Sequence, residues 1–293
     1  MSPRDDSAAD REQLPLGAGS LSFDRVADRY DGTRGYPPEV SDMIAAGMMR
    51  HGPLVPGATA LEIGVGTGRI ALPLLARGVN ITGVDISERM TERLRAKYDA
   101  ERTARPDQRW GKLDVALADA VRLPFADMSF DAVIATHVLH LIANWRGALD
   151  EALRTLRPGA PLLLGQDMSH GSPIAHPLQD EWVEIVRSLG FEPKRVGAPA
   201  FSEILAEARG RGLVVEEWTI AEWITTHTAA EGFAYIANQV WSLTWQVPAD
   251  IFTESARRLE VWARARYGAR WTEPVESAYS FRLARVSVPG ASL

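Results

Sequence analysis

The stretch LEIGVGTGRIALPLL, residues 61–75, decides how the rest of the chain is read. A short apolar run ends in Glu62, glycines follow at the alternate positions Gly64, Gly66 and Gly68, and a helical pattern of Ile70, Leu72, Leu74 and Leu75 begins at once. That order predicts strand, tight turn, helix. Glycine has no Cβ, so the backbone can take positive φ angles there and lie directly against a ligand. The first-turn N–H groups of the helix lack internal partners and carry the positive end of its dipole, which suits a carboxylate or phosphate.

Seventeen residues after Gly68 a second apolar run, VNITGVD, ends in Asp85. An acid at that place can accept hydrogen bonds from both hydroxyls of a ribose. Strand, glycine turn, helix and downstream acid in this order point to a nucleoside-bearing cofactor rather than a turn that merely joins two elements. A dinucleotide fingerprint places its third glycine three residues after the second; here the interval is two. Together with Glu62, this spacing resembles motif I of the class I S-adenosylmethionine-dependent methyltransferases. In that family the glycine loop passes under the methionine part of the cofactor. The resemblance implies S-adenosylmethionine as cofactor. It also implies a Rossmann-like α/β fold: a seven-stranded, mostly parallel sheet with an antiparallel last strand and helices on both faces.

Further segments carry the same likeness. VDISERM resembles the stretch in which the residue after the acid and a later apolar side chain sandwich the adenine, roles that fall on Ile86 and Met90. Core packing would explain both equally well. From Leu117 to Ile142 the chain resembles the family's third-to-fourth-strand region. There the Asp119 carboxylate would accept from the adenine amine while the Ala120 N–H donates to a ring nitrogen, a pairing that discriminates that base edge. In another context Asp119 would be a turn-forming aspartate. The run FDAVIAT reads as a short buried strand whose end, at Thr136 and His137, faces the ligand crevice. LRPGA resembles the family's LxPGG turn, with Ala160 as the departure. Upstream, FDRVADRYDGTRGYPP resembles the segment that folds over the cofactor in many small-molecule methyltransferases. Tyr30 and Arg34 are then candidates to contact the methionine end, Arg34 as partner of its carboxylate; a helix stripe and a solvated arginine are the plain alternatives. The resemblance spans Phe23 to Asp167.

A chain of 293 residues can hold one large α/β domain or one domain plus a substantial cap. Residues 1–20 read as a flexible N-terminal tail, and 21–55 as helices covering the cofactor site. The core is expected over 56–223 and 276–293, with a helical cap over 224–275 inserted between strands 6 and 7. No apolar run reaches the eighteen or so residues of a membrane span, and MSPRDDSAADREQ is too polar for a signal peptide. The absence of cysteine excludes disulfides and thiolate chemistry. A cytoplasmic protein is the expectation. The net charge of −6 disfavours nucleic acid as substrate. A small molecule is the expected partner, with a homodimer possible through an apolar cap surface.

Methyl transfer from a sulfonium requires donor and acceptor held in line, water excluded, and for some acceptors a proton removed. His137 and His140 are best placed as a general base, although buried histidines also serve packing; His170, His176 and His227 are weaker candidates. No histidine pair has helical ligand spacing in a recognised metal motif, and no metal is expected. Seven of the nine tryptophans follow residue 170. They can line a pocket for an apolar or aromatic acceptor or pack the cap itself. Two competing functions are a nicotinamide-dependent oxidoreductase and a non-catalytic protein that binds S-adenosylmethionine. A short-chain reductase is excluded, because none of the three lysines has a tyrosine four residues before it.

Overall fold

Strand β1 (Thr59–Ile63) is an interior strand, between β2 and β4, in the computed structural model, which describes residues 17 and 19–289. Around it the sheet runs in the order β3-β2-β1-β4-β5-β7-β6. The other strands are β2 (Asn80–Asp85), β3 (Leu113–Leu117), β4 (Ala132–Thr136), β5 (Leu162–Ser169), β6 (Val214–His227) and β7 (Val275–Ser287). Neighbours from β3 to β5 pair in parallel, and β7 alone runs antiparallel, against both β5 and β6. Because the order reverses between β1 and β4, a crevice opens at the carboxyl ends of these strands.

Alternation along the strands builds the two faces. Leu61, Ile63, Val133, Ala135, Leu162 and Leu164 meet α5 (Trp145–Thr155) and α7 (Phe201–Gly210) on one side. On the other side Ala60, Ala132, Ile134 and Leu163 meet α2 (Pro38–His51), α3 (Ala71–Leu75) and α4 (Glu88–Ala104). Pro73 is tolerated because it sits in the first turn of the short α3. Ser87 caps α4 as its position suggests, its Oγ accepting from the Met90 N–H.

Strand β6 continues to His227, well past the expected end near Trp218, with a register shift between Thr219 and Ala221. Its β-branched and tryptophan-rich sequence, ITTH included, favours a pleated ribbon once β7 supplies the partner. Position 224, the expected start of the cap, therefore lies inside β6, paired with Ala278. The ribbon carries α8 (Ala229–Ala237) and α9 (Ala249–Tyr267), as the sequence pattern suggests, but α6 (Ala175–Ser188) joins them from before strand 6. Leu178, Trp182 and Val186 of α6 share one core with Ile236, Leu259 and Ala263. The buried Trp182 indole donates to Ser255 Oγ at 3.1 Å, so its polar atom is satisfied within that core.

Most of the expected tail lies outside the described residues. Its last members do not: Gly17 is buried, Ser20 Oγ accepts from the Ala143 N–H, and Leu21 N–H donates to the Leu141 carbonyl. Among the described residues, no helix is long and apolar enough to cross a membrane.

Candidate active site

The glycine turn opens at the end of β1. Gly64, Gly66 and Gly68 have φ of +69°, +53° and +84°, and a Cβ at Gly64 would lie 2.4 Å from Val138 Cγ2. A side chain there is excluded twice, by the backbone and by its neighbour. Asp85, ending β2, braces the turn: Oδ2 accepts from the Gly66 N–H and Oδ1 from the Ser87 N–H, both at 2.9 Å. Burial raises its pKa against the opposing pull of these donors.

A narrow cavity of about 100 Å³ runs along this turn. Of the residues expected to hold the cofactor, Tyr30, Arg34, Gly64, Gly66, Asp85, Ile86, Met90, Asp119, Ala120, Thr136 and His137 line it. Glu62 and Gly68 do not. Gly68 packs close to Leu94, and Glu62 is only 2% exposed on β1. Burial pushes the Glu62 carboxyl well above the usual range, with Arg69 pulling it down. Its Oε2 has no hydrogen-bond partner, and neither has the buried Nε of Arg34. Asp119 is already engaged, Oδ2 accepting from the Gly17 N–H at 3.0 Å and Oδ1 from the Val121 N–H at 3.1 Å.

A second cavity of about 960 Å³ lies between the sheet and the cap, walled by rings that include Trp223, Tyr235, Trp241 and Tyr279. The two cavities share Leu21, Arg34, Arg69, His137 and His140. At this junction stands a polar cluster that the sequence reading missed in part. Tyr36 Oη donates to Asp167 Oδ1 at 2.6 Å. The Asp167 N–H donates to His137 Nε2 at 3.1 Å, and that nitrogen is 3.3 Å from Asp167 Oδ1 and 3.4 Å from Tyr36 Oη. Arg69 completes it: Nη1 lies 3.7 Å from Asp167 Oδ2 and donates to the Arg34 carbonyl at 2.8 Å, and the guanidinium sits 4.5 Å from the centre of the Tyr36 ring.

The charges follow from these contacts. Burial alone would raise Asp167, but His137, Arg69 and the Tyr36 hydroxyl together hold it down at about 2. Burial depresses His137 despite the nearby Asp167 carboxylate, and depresses His140 to about 3, with Arg195 and His137 adding to the effect. Burial likewise pushes the Tyr36 phenol well above its ordinary value. Near neutral pH the cluster therefore holds an ionised Asp167, a neutral His137 and a charged Arg69. His137 has φ of +51°, rare for a side chain of this size, and this turn follows directly on β4.

Of the weaker histidine candidates, His176 and His227 line the large cavity, and His170 bonds to Ser280 Oγ at 2.8 Å. Among the described residues no three metal-ligating side chains gather. The missed residues had sequence signals. Arg69 follows the third glycine, Asp167 follows the run PLLLGQ near the end of β5, and Tyr36 lies in the quoted segment RGYPP. Polar side chains at the carboxyl ends of strands in such a sheet fall at the crevice.

Comparison with known proteins agrees with this geometry. A family model described as "Methyltransferase domain" matches residues 61–164. The 27-O-demethylrifamycin SV methyltransferase of Amycolatopsis mediterranei is 34% identical over 201 residues, covering 66% of this chain and 68% of that protein. The chain belongs to the class I S-adenosylmethionine-dependent methyltransferases. The demethylmenaquinone methyltransferase of Clavibacter sepedonicus is 29% identical over 232 residues, with 79% of this chain and 88% of that protein aligned. The solved structure of the YcgJ protein from Bacillus subtilis shares the fold, with a TM-score of 0.54, 20% identity, and coverage of 84% of this chain and 98% of that one. This methyltransferase uses S-adenosylmethionine to methylate small molecules. Its residues suit that cofactor: the glycine cradle admits a close approach, and Arg34, which lines the narrow cavity, has an unpartnered Nε to offer a carboxylate.

Proposed function

We propose that this methyltransferase acts on a hydroxyl of a small molecule with an aromatic or apolar body, and that His137 receives the hydroxyl proton. The observation that carries the reading is the place of His137: its imidazole lines both cavities, is neutral, and is backed by an ionised carboxylate. Asp85 would bind the ribose, Ile86, Met90, Asp119 and Ala120 the adenine, and Arg34, Glu62 and the glycine turn the methionine end. When bound there, S-adenosylmethionine supplies an activated methyl group.

The chain's part is positioning and proton removal. His137 Nε2 accepts from the Asp167 N–H, so Nε2 is the unprotonated ring nitrogen, and its lone pair takes a proton only once the substrate hydroxyl displaces that N–H. With the hydroxyl in its place, the O–H bond breaks as the oxygen is methylated and the proton passes to Nε2. The imidazolium so formed stands 3.3 Å from Asp167 Oδ1, which balances its charge. Tyr36 and Arg69 hold that carboxylate in place. Two further points support the reading. The 34%-identical relative is named for methylation at an oxygen, and the aromatic-lined cavity is of drug-molecule size.

His137→Ala tests the assignment. Calorimetric titration with S-adenosylhomocysteine should give an affinity within about threefold of wild type, while transfer to a panel of phenols falls about 10²- to 10⁴-fold. Turnover unchanged by the substitution would remove His137 from the chemistry.

A further inference from the structure

The large cavity holds unmatched positive charge. Arg29, Arg34, Arg69 and Arg195 line it, against two carboxylates, Asp167 and Glu231. Both carboxylates are engaged within the chain. Asp167 serves Tyr36, His137 and Arg69, and Glu231 accepts from the Thr228 N–H at 2.8 Å and the Thr228 hydroxyl at 3.1 Å at the start of α8. Among the described residues only Arg69 of the four has a carboxylate within ion-pair distance. Arg34 reaches only the Val240 carbonyl, at 3.5 Å, and on the reading above it faces the cofactor. Arg29 and Arg195 are left over, in a chain whose net charge is −6.

Arg195 is the better fixed of the two. Its loop, between α6 and α7, is pinned on the exit of β4: the Gly197 N–H donates to the His140 carbonyl and the Ala198 N–H to the Leu139 carbonyl, each at 3.0 Å. A Cβ at Gly197 would lie 2.2 Å from the Leu139 oxygen, so only glycine permits this approach. From the cap side, Gln246 Nε2 donates to the Lys194 carbonyl at 2.7 Å. The backbone that carries Arg195 is thus held on both sides, while the residue itself is exposed and lines the cavity near His140, free to meet a ligand. Planar, bidentate recognition of a carboxylate is what a guanidinium does best.

We propose that the acceptor is a hydroxy acid, whose carboxylate sits on Arg195 beside His140 while its hydroxyl reaches His137 and its rings lie among Trp223, Tyr235 and Trp241. His137 and His140 belong to one turn, so the acid and the reacting hydroxyl are on neighbouring parts of the molecule. This inference rests on the methyltransferase reading with His137 as base.

The test uses protein saturated with S-adenosylhomocysteine and titrated with salicylate and a hydroxynaphthoate, each against its own carboxamide. At least one acid should bind about tenfold or more tightly than its amide, with the preference shrinking between about 50 and about 300 mM salt. Arg195→Gln should weaken the acid about ten- to a hundredfold and leave the amide and S-adenosylhomocysteine unchanged; Arg195→Lys should restore part of the preference. Acids and amides that bind alike, acids that do not bind, or a preference that survives Arg195→Gln would each overturn the acid site. The two readings fail separately. Loss of S-adenosylhomocysteine binding would strike the cofactor site, and an unaffected His137→Ala would strike the base, whatever the acids do.

Discussion

The two cavities are built on opposite principles. The narrow one has a floor of short local pieces, each a strand end and the residues just after it: Ile63 to Gly66, Asp85 to Met90, Asp119 and Ala120, Thr136 and His137, closed over by Leu21, Phe23, Tyr30 and Arg34 from the N-terminal segment. The large one gathers α1 (Ala27–Arg34), the loop before α2, the β5 end, the β6–β7 ribbon and the cap, so that Tyr36 meets Asp167 across 131 residues of chain. A ligand shared by a whole family is suited by the first kind of wall, whose geometry the sheet itself dictates. An acceptor that differs between relatives is suited by the second, whose loops and helices can change without disturbing the sheet.

If that division is right, substitutions should separate cleanly between the two sides. The largest effect is expected at Gly64→Ala, which forces a Cβ into Val138 at a positive φ. It should cost about 2–4 kcal/mol in urea unfolding and abolish measurable S-adenosylhomocysteine binding. Next comes Asp167→Asn, which deprives His137 of its anionic partner. Methyl transfer should fall about a hundredfold with cofactor affinity within about threefold, and a matching loss of affinity would break the comparison. Asp85→Ala should weaken S-adenosylhomocysteine by about 1–3 kcal/mol in calorimetry while acids still bind the large cavity.

The smallest effect is one of pH on the junction. His137 and His140 are neutral and depressed in the folded chain, so the unfolded chain takes up protons first as pH falls. The stability they contribute is complete above pH 6.5 and is lost as pH drops from there toward their lowered values. Denaturant titrations at about pH 7 and pH 5 should differ by at most about 2 kcal/mol per imidazole. Asp167, held at about 2, stays ionised throughout that range. Glu62 and Asp85, raised by burial, act in the opposite direction over this range, so the histidine part is read as the difference between wild type and His140→Gln, whose stability should fall less between about pH 7 and about pH 5.

The same division explains what was legible in the sequence. The glycine turn, Asp85 and Asp119 can be read because each is adjacent in sequence to the strand that positions it, and the order of motifs implied the sheet. The β6–β7 ribbon could not be read to its full length, because residues such as Ile224, Thr225 and Thr226 become strand only when Ala278, Ser277 and Glu276 lie opposite. For the same reason α6 gave no sign in the sequence that it would join the cap. Tyr36 and Arg69 were visible as residues but not as partners. Their roles depend on Asp167, which a different strand brings to them.

Arg34 ties the two halves together, its guanidinium resting against Val240 and 5.3 Å from the centre of the Tyr235 ring in the cap, while its carbonyl is held by Arg69 just beyond the glycine turn. On the proposed reading, the residue that meets the amino-acid end of the cofactor is therefore also the one that touches the cap. A substitution at Tyr235 that removes the ring contact should then weaken S-adenosylhomocysteine, although Tyr235 does not reach the glycine turn.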